Sequence, residues 1–107
     1  MAYQAPWSKT QRAWLRRWAG KYIWWKTPQA ALQQPQRILA QVMTLGEYTD
    51  AQTMVEVFGE DALRETLRQA EAGQFDARSW AYWHYRLRLA EPERLPPMPQ
   101  RQLPSTP

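Results

Sequence analysis

A chain of 107 residues with no cysteine has the length of a single domain, excludes disulfides and thiolate metal sites, and fits a reducing compartment. Its 44% apolar content allows a core, no stretch approaches the ~20 apolar residues of a membrane span, and the start lacks the charged-then-apolar order of a secretory signal, so the chain reads as cytoplasmic. The net charge of +4 conceals three blocks. Residues 1–26 carry Lys9, Arg12, Arg16, Arg17, Lys21 and Lys26 and no acid; residues 47–76 carry eight acids against Arg64 and Arg68; from residue 77 five arginines face Glu91 and Glu93. A basic end of this kind suits nucleic acid or an acidic protein surface, unless the acidic middle folds back and neutralises it.

No segment alternates with a period of two, and almost everything reads helical. Ser8 is placed to cap a helix over about residues 9–24, with Trp14, Leu15, Trp18, Tyr22 and Trp25 on one face and Lys9, Arg12, Arg16 and Gly20 opposite. Thr27-Pro28 marks a new start and Pro35 permits a break. A helix then runs through RILAQVMTL to Gly46, with Ile38, Val42 and Leu45 on one side, widened by Leu39 and Met43. Thr49 or Asp50 can cap the next, which turns Ala51, Met54, Val55 and Phe58 to one side and ends at Gly59. A further helix over about Asp61–Ala72 presents Leu63, Thr66, Leu67 and Ala70, and Gly73 closes it.

Asp76 caps the last helix, Ala77 to about Leu89, which contains SWAYWHYRLRL. At about 100° per residue this stretch has two apolar sides: Trp80, Trp83, His84 and Leu87 on one, Tyr82, Tyr85 and Leu89 on the other. Helices apolar on both sides are usually buried on both, and a small domain has few layers to supply that. We assign the tryptophan side to the core and leave the tyrosine side for the first helix or a partner. The remaining EPERLPPMPQRQLPSTP, six prolines in seventeen residues, forms an extended, polyproline-like tail.

No constellation reads as catalytic. A lone histidine, His84, and no cysteine leave no zinc or iron site, and four scattered glycines cannot cradle phosphates. Glu60 and Asp61 sit at a helix start, where the dipole favours acids. The helix–glycine–helix corner at Gly59 has a helix-turn-helix outline, but its second helix opens on acids, which suits DNA poorly. Neither an enzyme nor a cofactor, a small-molecule substrate or a membrane partner is expected.

Three features suit binding: the N-terminal arm interleaving tryptophan with cations (Trp14, Arg16, Arg17, Lys21), the tyrosine side and end of the aromatic helix (Tyr82, Tyr85, Arg86, Arg88, Leu89), and the tail (Pro96, Pro97, Pro99, Arg101). The reading is an all-α bundle of four to five helices: an arm over residues 1–26, a helical domain over 27–90 and an extended tail over 91–107.

From about Tyr22 to Leu89 the chain resembles a small bacterial family encoded beside abortive-infection-type nucleotidyltransferase toxins. The matching stretches are YIWW, RILAQVMTLGEYTD, VEVFGEDALRETL and RSWAYWHYRL with its proline-arginine tail. It departs from the family pattern at Lys26 and Thr27, where an acid and a proline stand, and in the basic extension of residues 1–21. The resemblance implies an antitoxin, a non-enzymatic protein that neutralises a cognate toxin by forming a hetero-oligomer with it. Its basic, aromatic elements would cap the toxin's metal-binding carboxylates, or its acidic middle would occupy the toxin's basic substrate path. The alternative is a nucleic-acid-binding transcriptional regulator using the N-terminal arm.

Overall fold

The computed structural model describes residues 7–91 and 93–100, and within them the chain forms six helices and no strand. These are α1 (Lys9–Tyr22), α2 (Pro28–Ala31), α3 (Pro35–Leu45), α4 (Tyr48–Phe58), α5 (Glu60–Arg68) and α6 (Ala77–Arg86). Because α2 is a single turn, this is the expected all-α bundle of five substantial helices. Among the described residues no helix is long and apolar enough to cross a membrane.

The Ser8 hydroxyl accepts from the backbone N–H of Gln11, and the Gln11 side chain accepts from that of Ser8, a reciprocal cap that satisfies two donors otherwise left open at the helix start. Gln11 Nε2 also donates to the Val57 carbonyl, fastening the start of α1 to the end of α4. Leu15, Trp18, Ala19 and Tyr22 enter the same core as the later helices, so the basic arm is part of the bundle. α1 stops at Tyr22, short of residue 24. Tyr22, Ile23 and the two tryptophans after them are weaker helix formers, with Gly20 just before, and Gln41 Nε2 takes up the Tyr22 carbonyl. Ile23 turns inward and Trp25, expected on the buried face, is left 55% exposed.

α3 is the hub, packing against every other helix. It carries one charge, Arg37, and buries Ile38, Leu39, Ala40, Val42 and Met43. Leu45, expected on that stripe, is at the surface (61% exposed), because the helix ends there and the chain leaves through Gly46. Gly46 is demanded by space: a Cβ there would stand 2.3 Å from the Val42 carbonyl oxygen.

α4 begins at Tyr48 with Glu47 in the capping position, so neither Thr49 nor Asp50 is the cap. Asp50 instead turns inward, where its carboxylate accepts from the Tyr22 hydroxyl at 2.6 Å and from Lys21 Nζ at 2.8 Å. The Tyr22 oxygen accepts in turn from the Glu47 backbone N–H, and Lys21 also pairs with the Glu47 carboxylate. The end of α1 is thereby bound to the start of α4.

Gly59, at φ 84° and ψ 160°, makes the corner to α5 in a conformation nearly closed to other residues. α5 ends at Arg68, earlier than the periodicity suggests, and a turn containing Gly73 leads to α6. There the Asp76 carboxylate accepts from the Ser79 N–H, which holds its pKa below the usual value. Trp80, Trp83, His84 and Leu87 are buried as expected. Trp83 Nε1 donates to the Met43 carbonyl, locking α6 onto α3. His84 is a satisfied core residue: its Nδ1 lies 2.8 Å from the Trp80 carbonyl, which can only accept.

Burial pushes the Asp50 carboxyl up, but the hydrogen bonds from Lys21 and Tyr22 together outweigh it and hold its pKa below the ordinary value. Its stabilising contribution is therefore full above the unfolded value of about 3.9 and is lost as pH falls through the lower folded one. Hydrogen bonds to Asp50 and then Glu47 raise the Lys21 pKa, and burial and then Asp50 raise that of Tyr22. Their contributions are full below about pH 10 and are lost as pH rises through the raised folded values. Urea unfolding should thus give a stability plateau between about pH 5 and 9.5, falling on both sides. Tyr22→Phe should cost about 1.5–3 kcal/mol at pH 7, the range for a hydrogen bond to a charged group, and move the acid limb to higher pH. Gly46→Ala should cost about 1–3 kcal/mol at every pH, as overpacking does.

Candidate functional site

The three sequence-level features fare differently. On α1, Trp14 is half-buried against Trp18, with ring centroids 5.3 Å apart, and the Arg17 guanidinium lies 5.6 Å from its ring. Arg16 is exposed and Lys21 is committed to Asp50 and Glu47. Among the described residues Lys21 is the only one of the arm's six cations in an ion pair, so the acidic middle does not neutralise the arm.

The acids pair elsewhere. Glu60 and Asp61 bind Arg64, Glu65 binds Arg68, and Glu71 holds Arg37 through two bonds of 2.7 Å. With Glu47 and Asp50 on Lys21 and Asp76 capping α6, only Glu56 of the eight middle acids has no such partner among the described residues.

The tail is held on the domain. Trp80 Nε1 donates to the Pro96 carbonyl at 2.7 Å, and Leu95 and Met98 pack against the core. Residues 94–100 contain no helix or strand, as the prolines require, with Pro96 and Pro97 exposed and Pro99 half-buried. Arg101 lies outside the described residues.

The most developed surface is the end of α6. Tyr82 is 50% and Tyr85 39% exposed, so this side of the helix is not covered by α1. Arg86 Nη1 donates to the Tyr82 hydroxyl, and its guanidinium lies 5.2 Å from the Trp83 ring, which sets both side chains in place. α6 ends at Arg86 rather than Leu89, in a double backbone closure. The Leu89 N–H reaches the His84 carbonyl and the Arg88 N–H that of Tyr85. This Schellman ending puts its penultimate residue in the left-handed region, where glycine is usual. Here that residue is Arg88, at φ 60°, the one non-glycine with positive φ among the described residues.

Arg64 Nε donates to the Leu87 carbonyl and braces the ending from α5. Around it Tyr85, Arg88, Leu89, Glu91 and Arg94 line an open depression of about 450 Å³. The Arg88 and Arg94 side chains make no hydrogen bond or ion pair with any described residue, while Leu89 is half-buried beneath them. The structure thus joins Tyr85, Arg88 and Leu89, with Tyr82 and Arg86 one turn back. Sequence reasoning missed Arg94 because it stood in a tail read as separate.

No three His, Asp or Glu side chains among the described residues gather as metal ligands. Comparison with known protein families, with curated proteins and with solved structures returns no match.

Replacing Arg88 by glycine removes the left-handed penalty of about 1–2 kcal/mol, offset in part by a more flexible unfolded chain. Arg88→Gly should therefore stabilise the protein by about 0.5–1 kcal/mol, read as a higher urea midpoint with unchanged slope.

Proposed function

We propose that this protein acts by binding rather than catalysis, and that its partner is a toxin enzyme of the nucleotidyltransferase kind that the resemblance implies. One observation carries the choice of surface. Arg88 occupies a position where glycine would be more stable, and its guanidinium makes no hydrogen bond or ion pair with any described residue. Strain that stability does not explain points to function. With Arg86, Arg94, Tyr82 and Tyr85 it forms a basic, aromatic patch, the side-chain types that dominate binding energy at protein interfaces.

The spent acids favour one of the two modes of inhibition. Most carboxylates of the middle segment are already paired, so filling a basic substrate path would require breaking ion pairs. The Arg88 and Arg94 guanidiniums, which make no ion pair among the described residues, can meet carboxylates without that cost. Capping the toxin's metal-binding acids is the reading this supports.

Coexpression with a tagged, neighbour-encoded toxin should recover a complex. Tyr82→Ala/Tyr85→Ala and Arg88→Gly should each weaken it at least tenfold, the latter while raising stability. A neighbour that is harmless alone, or a complex indifferent to these changes, overturns the proposal.

The alternative, nucleic-acid binding through the arm, is favoured by Lys9 and Arg16, which make no ion pair among the described residues. It requires an affinity for duplex DNA falling with salt at a log–log slope of about −0.9 per phosphate, abolished by Arg16→Ala/Arg17→Ala.

A further inference from the structure

Between α1 and α2 the chain exposes two consecutive indoles, Trp24 at 77% and Trp25 at 55%, packed edge to face with centroids 5.5 Å apart. The turn that carries them is fixed at both ends. Ile23 is buried and accepts from the Lys26 N–H, and the Thr27 hydroxyl caps α2. Two large exposed rings on a turn whose backbone is tied at both ends lie outside the core, and neither belongs to the α6 surface.

Trp25 forms one wall of a cleft of about 320 Å³ whose other sides come from α2, the start of α3 and the turn between α5 and α6. That volume is at the small end for small-molecule sites. Its polar lining is mostly spoken for. Arg37 is held by Glu71 and by the Gln34 side-chain oxygen, and Gln41 spends its amide nitrogen on the Tyr22 carbonyl. What is left unspent is the amide nitrogen of Gln34, the amide oxygen of Gln41 and the Lys26 ammonium, which has no ion pair among the described residues. Lys26 lies in the field of Glu71, but Glu71 itself is spent on Arg37. An indole wall, a donor and an acceptor at the cleft, and a cation that makes no ion pair among the described residues match a flat, hydrogen-bonding ring that carries an anion. Any nucleobase offers a face to stack, with edge donors and acceptors, and its phosphate supplies the charge.

We propose that this cleft is a nucleotide-binding site, with the base against Trp25, its edge toward Gln34 and Gln41, and the phosphate at Lys26. The site is separate from the α6 surface and does not depend on the toxin reading. The same chemistry is offered by a free nucleotide and by a nucleotide within a single strand.

Calorimetric titration of the full chain with AMP, with an oligodeoxyadenylate of about ten nucleotides and with polyglutamate separates these sources. Saturable AMP binding, no tighter for the strand, assigns a free nucleotide; binding of the strand alone assigns single-stranded nucleic acid. In either case Trp25→Ala should weaken binding about tenfold or more, as loss of a stacked base does. Lys26→Gln should reduce the log–log salt slope by about 0.7 for the strand. Both side chains are exposed, so circular dichroism and the thermal midpoint should hold for each variant. Absence of binding by AMP and strand, binding undiminished in Trp25→Ala, loss only in Arg16→Ala/Arg17→Ala, or equal competition by polyglutamate overturns the proposal.

Discussion

The buried hydrogen bond from the Tyr22 hydroxyl to Asp50 organises this small fold. A carboxylate largely withdrawn from water is costly unless its oxygens are satisfied, and here one oxygen accepts from both Tyr22 and Lys21. The bond also fixes where α4 begins, because the same hydroxyl accepts the Glu47 N–H that opens that helix. One network thereby joins the end of α1 to the start of α4. Trp24 and Trp25 lie just beyond the end of α1 and are exposed.

Around that anchor, indoles act as directed fasteners as well as apolar bulk. Trp83 spends its N–H on α3 and Trp80 on the tail, each fixing a segment that apolar contact alone would let slide. Trp18 packs between Trp14 and Phe58, and Trp7 meets Phe58 edge-on, so much of the aromatic content belongs to the core. The remainder, Trp24, Trp25, Tyr82 and Tyr85, divides between two surfaces.

Helix existence and the tryptophan side of α6 were legible in the sequence because they rest on local periodicity and caps: Ser8, Thr27, Gly59 and Asp76 act where their chemistry places them. What periodicity could not supply was the fate of residues whose partners are distant. Asp50 has the form of a cap and becomes a buried acceptor only because Tyr22 arrives from another helix. Lys21 looks like one more cation of a basic arm, and its engagement depends on the same meeting. Trp25 continues the α1 stripe arithmetically and leaves it because the helix ends at Tyr22, whose carbonyl is taken up by the distant Gln41. The candidate site was half legible: Tyr82, Tyr85, Arg86, Arg88 and Leu89 are local to one helix, but Arg94 joins them only because the tail folds back onto Trp80.

Local preference and global fold agree through most of this chain, which is what a sequence selected for stability alone would also show. The exceptions concentrate in two places. One is Arg88, held in a left-handed ending that glycine would fill better; the other is the Trp24–Trp25 turn, where two large apolar rings are exposed to water. Neither is forced by packing, since the depression beside Arg88 is open and the indoles have no core to enter. A natural protein that breaks local rules at a few positions usually does so where it meets something else. Each exception coincides with cations that make no ion pair among the described residues, Arg88 and Arg94 in one case and Lys26 in the other, and this shared feature is what both proposals build on.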